Sequence, residues 1–264
     1  MPHQITGATR SCFVVADPVG HLRTPQVLNR VWEERGLDLV TVAAHVRPEG
    51  LPAFVAALRT NESSLGAVIT VPHKQSVVAL CDELGPNARI VGAVNVVRRT
   101  SEGRLLGETF DGLGFVAGLR SQGIEPRGRR AIVLGAGGAA SAVAVALLGA
   151  GVESLDISNR TNARAVELVK RLRAGFPSRD VGTGLDRVAD AHLIVNATSS
   201  GLSPSDVSPI AAELIPAGAV AADVVMSAEP TPFLAAAAAR GNSTHEGAHM
   251  LNGQIQLIAD HLSA

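Results

Sequence analysis

Behind the apolar stretch 131–134, Gly135, Gly137 and Ala140 spell G-x-G-x-x-A at the head of a run of small residues. In a strand-turn-helix setting such glycines permit a tight turn and let backbone N–H groups close on a pyrophosphate at the positive end of the helix. Glycine-rich turns also arise for packing alone, so the next strand carries more information. It ends in Ser158-Asn159-Arg160-Thr161, with Arg164 one turn further on. A site for NAD usually places a carboxylate at that strand end, to accept from the ribose 2′-OH. Two guanidiniums stand there instead, suited to bidentate capture of a 2′-phosphate, which points to NADP. A solvated i,i+4 arginine face is the plainer alternative. Asp156, inside the strand, leaves NAD open.

Two other stretches carry chemistry on their face. "DPVGHLRTPQVLN" (17–29) follows the apolar run 12–16. Pro18 and Gly20 end a strand, and Thr24 reads as a helix cap ahead of Pro25, an arrangement able to hold an anion. Yet that loop offers Leu22, Arg23 and a single hydroxyl, Thr24; Arg23 reads as solvated. "HEGAH" (245–249) is the H-E-x-x-H of zinc enzymes, but Gly247 and the preceding "RGNST" put it at a loop or helix start. Ile255 occupies the position of a third ligand, so the match reads as coincidence and no metal is expected.

The elements that must position these residues follow from periodicity. Strands are expected at 13–16, 39–43 and 66–71, and helices at 25–35, 49–60 and 74–84, a βαβαβα order with a largely parallel sheet. A hairpin follows over 93–98 and 104–106. A second α/β set comprises strands 131–134, 154–158, 192–195 and 219–223 with helices 139–149 and 162–174. A helix-like stretch at 112–122 with "GIEPRGRR" marks the boundary, and a last helix at 248–262 returns to the first domain.

Composition narrows the function classes. With 46% hydrophobic and 18% charged residues, the 264-residue chain buries a sizeable core. Aromatics are 3% with no tyrosine, and 23 basic residues face 24 acidic ones, which argues against nucleic acid or an anionic membrane as partner. Residues 131–152 are long enough to span a bilayer, but their crowded glycines favour strand, turn and buried helix. The N-terminal "MPHQITGATR" has no apolar export segment. Cys12 and Cys81 stand apart in apolar contexts, as core thiols of a reducing cytoplasm do.

Ordered blocks along nearly the whole chain resemble the shikimate dehydrogenase family: "DPVGH" with Pro25 and Asn29, "ITVPHK" (69–74), "VGAVNVV" (91–97), "FDGLGF" (110–115), "GAGGAA", "SNRT", "NATSSG" (196–201), "ADVV" (222–225), "TPFL" (231–234) and "GAHMLNGQ" (247–254). The resemblance implies an α/β protein with an N-terminal substrate domain (1–110 plus 250–264), a Rossmann-type NADP domain (111–249) and a cleft between them. It implies reversible hydride transfer between NADP and a cyclic hydroxy acid, shikimate or a less polar analogue. Lys74 and Asp111 then correspond to the catalytic pair. A hydroxyl losing hydride must also lose its proton, which a lysine paired with a carboxylate can relay. Leu22, Thr24, Thr70, Asn95 and Gln254 fall at substrate positions. Gly135, Gly137, Gly138, Ala139, Asn159, Arg160, Thr161, Arg164, Thr198, Ser199, Val224 and Gly247 fall at cofactor positions.

The departures from the family pattern concentrate on the substrate. Leu22 replaces a serine, Phe110 a threonine, Thr109 an asparagine, Met226 a tyrosine and His249 a glycine. Three hydroxyls thereby give way to apolar side chains, each lost hydrogen bond being worth about 1–3 kcal/mol. An NAD-dependent quinate/shikimate dehydrogenase and a non-catalytic NADP-binding sensor are the alternatives; retention of Lys74 and Asp111 speaks against the sensor. A monomer or a homodimer is expected.

Overall fold

The computed structural model describes residues 4–20, 22–203, 205–227 and 229–264. His21 of the "DPVGH" block and the first three residues lie outside them. The backbone divides into two compact units, Met1–Phe110 with Ile255–Ala264, and Asp111–Gln254.

The first unit runs β1 (Arg10–Ala16), α1 (Thr24–Glu34), β2 (Leu39–His45), α2 (Leu51–Thr60), β3 (Ser64–Ile69), β4 (Glu83–Leu84), α3 (Pro86–Val91), β5 (Val96–Arg99) and β6 (Leu105–Glu108). Its sheet has the order β2-β1-β3-β5-β6-β4. β1 pairs in parallel with β2 and β3, whereas β5 is antiparallel to both β3 and β6, the expected hairpin. Leu51, Val55 and Leu58, on one stripe of α2, pack with Val15, Ile69 and Val97 in the core. On α1, Trp32 donates to Thr41 Oγ1 at 2.8 Å, and Asn29 exchanges hydrogen bonds with the Thr41 backbone at 2.9 and 2.7 Å.

Two expectations fail in this unit. Thr24 is not the cap of α1: Arg23 occupies that position in a helical conformation and Thr24 is the first helical residue. Residues 74–84 do not form one helix. A short 3-10 turn covers Ser76–Leu80, after which the chain extends to pair Glu83 and Leu84 with β6. Asp82 decides this locally. Its carboxylate takes the Leu105 N–H at 2.7 Å and an ion pair with Arg59, which drags the chain out of helix.

The second unit runs α4 (Asp111–Ser121), β7 (Arg130–Leu134), α5 (Gly138–Ala150), β8 (Ser154–Ser158), α6 (Asn162–Gly175), β9 (Asp180–Thr183), β10 (Leu193–Asn196), β11 (Val220–Asp223), α7 (Pro232–Ala239), β12 (Ser243–His245) and α8 (Gly247–Ser263), whose last turns belong to the first unit. All its strands are parallel, in the order β12-β11-β10-β7-β8-β9. That is the doubly wound order of a Rossmann-type sheet. The apolar stretch 131–152 is β7, a turn and α5; among the described residues no helix is long and apolar enough to cross a membrane. β9 and β12, polar and short, carry no periodicity that could have revealed them.

Residues 250–254, expected with the first unit, group with the second. The cause is backbone contact through glycine. A Cβ at Gly114 would lie 2.7 Å from Met250 O, one at Gly118 2.7 Å from His249 O, and one at Gly253 2.3 Å from Gly114 O. From Ile255 onward the stripe Ile255, Ile258, Ala259 and Leu262 is buried. There Asp260 pairs with Arg35, which caps the C-terminal end of α1, at 2.8 Å.

Candidate functional site

A cavity of about 890 Å³ opens in the second unit where β7, β8 and β10 end. It sits at the topological switch point, since the strand order reverses between β7 and β10. Gly135 turns there with φ +116°, and a Cβ on it would lie 2.7 Å from Ala197 O, so only glycine fits. Gly137 caps α5, and Gly138 and Ala139 form its first turn, whose N–H groups have no acceptor within the helix. Gly135, Gly137, Asn159, Arg160, Thr161, Arg164, Thr198 and Ser199 all line this one cavity. Gly138, Ala139, Val224 and Gly247 are not on its wall.

Arg160 and Arg164 are exposed and, among the described residues, have no acidic partner. Asp156 is different. It is buried in β8 and gripped by Arg187, Nε to Oδ2 at 2.7 Å and Nη2 to Oδ1 at 2.6 Å. A Cβ at Gly182 of β9 would lie 2.3 Å from its Oδ1. The carboxylate left open as a ribose ligand is therefore spent on the sheet. What remains at the β8 end is Asn159, whose Nδ2 donates to Thr161 O at 2.9 Å, and the two guanidiniums.

The opposite wall is built from the segment after β10. Asn196, fully buried, accepts at Oδ1 from Thr198 N (3.1 Å) and Thr198 Oγ1 (2.7 Å), and donates from Nδ2 to Ser200 O (2.9 Å) and Asp223 Oδ2 (3.0 Å). Val224 sits beside it, its N–H on Asn196 O at 3.0 Å. Gly247 is packed so closely that a Cβ would lie 2.3 Å from Val225 O. Sequence reasoning missed Asp206, which also lines the cavity and accepts from Gly201 N at 2.8 Å and Ser203 N at 3.0 Å. These donors hold its carboxyl below the usual range. The Ser/Pro/Asp cluster 203–209 was the available signal.

In the first unit, the loops after β1 and β3 are neighbours, with Asp17 N donating to Val71 O at 3.2 Å. They carry Leu22 on one side, where Thr24 then opens α1, and Thr70 and Lys74 on the other. Lys74 is half-buried and its carbonyl accepts from Val94 N at 2.8 Å; Ile69 N donates to Asn95 O at 2.7 Å. Thr70, Lys74 and Asn95 are thereby held together. Asn95 is buried, and its Oδ1 accepts from Phe110 N at 2.9 Å, so part of that side chain sets the backbone just ahead of Asp111. Phe110 is itself buried, its ring 5.2 Å from that of His261. Arg23 is exposed, as expected. In the second unit, Asp111 is buried as the first residue of α4, where a negative charge meets the positive end of the helix, and Gln254 lies half-buried in α8.

The "HEGAH" residues straddle a strand end and a helix start. His245 closes β12, fully buried between the ring of Phe115 at 5.7 Å and that of His249 at 4.8 Å. The two imidazoles stack at 26°, so their nitrogens do not converge on one point. Burial, then the neighbouring His249, pushes His245 down to about 4. Both cysteines are free thiols, and burial pushes Cys81 up to about 11.

Comparison with known proteins matches two family models, the shikimate dehydrogenase substrate binding domain over residues 14–97 and shikimate/quinate 5-dehydrogenase over residues 120–208. A shikimate dehydrogenase (NADP(+)) of Rubrobacter xylanophilus is 42% identical over 94% of this chain and 88% of its own. Shikimate 5-dehydrogenase of Thermus thermophilus, solved in complex with NADP(H) and shikimate, superposes with a TM-score of 0.87 at 36% identity, covering 96% of this chain and 93% of that one. Quinate dehydrogenase of Corynebacterium glutamicum, in complex with NAD, gives a TM-score of 0.87 at 26% identity over 97% and 94%.

Proposed function

The chain belongs to the shikimate dehydrogenase family, and on that premise we propose that it interconverts shikimate and its 3-keto form using NADP. One observation carries the cofactor reading: among the described residues Arg160 and Arg164 line the cavity without acidic partners, while Arg187 holds Asp156 away from it. The glycine cradle and the first turn of α5 fit a pyrophosphate, and the two guanidiniums fit a 2′-phosphate. NADP, when bound, supplies the hydride acceptor.

The chain's own residues handle the proton and the substrate. Lys74, half-buried on the loop after β3, takes the hydroxyl proton as a neutral amine when hydride leaves the carbon, and as the resulting ammonium returns it to the oxygen when the ketone is reduced. Asp111 supplies the fixed acceptor that orients the donors at that oxygen. Thr70, Asn95 and Gln254 offer hydrogen bonds to ring hydroxyls, with Thr24 as the hydroxyl of the first loop. The free thiols suit a reducing cytoplasm. Steady-state reduction of NADP and of NAD with shikimate and with quinate tests the proposal. Turnover with shikimate and NADP supports it; binding of NADP without turnover of either acid would leave the sensor alternative standing.

A further inference from the structure

Asp223 has the lowest exposure a residue can have, 0%, yet its side chain is a carboxyl group. It ends β11 and takes three hydrogen bonds from three different segments. Its Oδ1 accepts from Val225 N at 2.8 Å, and its Oδ2 accepts from Asn196 Nδ2 at 3.0 Å and Thr231 Oγ1 at 2.6 Å.

The direction of each bond follows from groups that have no choice. The Thr198 backbone N–H can only donate, so the atom facing it on Asn196 must be Oδ1. That turns Asn196 Nδ2 toward Asp223 and Ser200 O. The Val225 N–H likewise can only donate. Thr231 Oγ1 receives the Leu234 N–H at 3.4 Å as the cap of α7, which leaves its own proton for Asp223. Asp223 is therefore an acceptor at every contact, a role suited to a carboxylate and not to an amide.

The chain of bonds leads outward from there. Asn196 fixes Thr198, and Thr198 Oγ1 accepts from Ser200 N at 3.1 Å. Thr198, Ser199 and Ser200 are all wall residues of the 890 Å³ cavity. We propose that Asp223 is a positioning residue for the cofactor: through Asn196 it holds the Thr198–Ser200 wall in the shape that receives NADP. The proposal rests on the reading of that cavity as the NADP site. Burial pushes the Asp223 carboxyl up, in keeping with a group whose charge is kept only by its donors.

Three variants and one control test it. Asp223→Asn puts a donor against fixed donors, and Asn196→Ala removes the link itself, taking away the bonds to Thr198, to Ser200 O and to Asp223 together. Both are expected to raise the KM for NADP at least tenfold while the KM for shikimate changes less than twofold. The control, Thr231→Val, removes one of the three contacts but leaves the Asn196 arm intact; it is expected to lower the melting temperature with NADP affinity unchanged within twofold. The exchange Asn196→Asp with Asp223→Asn restores an acceptor–donor pair and is expected to recover part of the NADP affinity lost in Asp223→Asn. Wild-type binding of NADP, followed by titration calorimetry, separates the two claims: a wild type that does not bind NADP overturns the cavity reading. A binding-competent wild type with unaltered NADP KM in folded Asp223→Asn or Asn196→Ala overturns the positioning role. So does an equal rise in both KM values, or a loss in Thr231→Val as large as in Asn196→Ala. Should Asp223→Asn not fold, Asn196→Ala decides by the same readout.

Discussion

Arg187 clasps Asp156 through two parallel hydrogen bonds, 2.7 and 2.6 Å long, from a turn 31 residues away in sequence. The same guanidinium also pairs with Asp180 of β9. The one carboxylate of β8 is thus committed to holding β8 and β9 together, and the strand end is left positive.

Cofactor choice follows from that commitment. Replacing Arg160 and Arg164 together by glutamine should raise the KM for NADP about ten- to a hundredfold and leave that for NAD nearly unchanged. Initial rates with each cofactor at saturating shikimate measure it. Equal use of NAD and NADP by the wild type would refute the assignment.

Lys74 should be needed for chemistry more than for binding. Lys74→Ala is expected to lower kcat by about 10²–10⁴ with NADP affinity retained. A variant keeping more than half of the wild-type kcat would remove Lys74 from the proton-transfer role.

The substrate loops predict a modest catalyst for shikimate. By the resemblance, Leu22 and Met226 fall at positions expected to carry hydroxyls, and Met226 is half exposed, so Leu22→Ser with Met226→Tyr has room to add donors. At about 1–3 kcal/mol per hydrogen bond, kcat/KM for shikimate should rise at least tenfold. No gain in a folded double variant would show a pocket rebuilt for another ring acid. Phe110→Thr belongs to a different experiment. Phe110 is 8% exposed and packed on His261, so its loss should cost about 3 kcal/mol of stability by urea unfolding.

His245 predicts an acid-side loss of stability. Its folded value of about 4 lies below the ordinary 6.5, so the unfolded chain binds the extra proton first. This contribution is complete above pH 6.5 and disappears as pH falls toward 4, an upper bound of roughly 3 kcal/mol. Urea midpoints at pH 7 and pH 5 should separate more in the wild type than in His245→Leu. An identical pH dependence in both would contradict it.

Local rules made much of this protein legible. Gly135, Gly137 and Ala140 announce their turn because a tight βα connection with close backbone approach demands small residues within one short stretch. Arg160 and Arg164 were legible for the same reason, being one turn apart at a strand end. What periodicity could not supply were partners distant in sequence. The extension of residues 81–84 came from the pull of Arg59 and Leu105 on Asp82. The helix at 250–254 changed unit because Gly114 and Gly118 let two backbones touch. Whether Asp156 served a ribose or a sheet depended on Arg187, and Asp223 acquired its place only when Asn196, 27 residues earlier, was folded against it. A buried charge is tolerable only beside its donors, and only the tertiary structure brings those donors together.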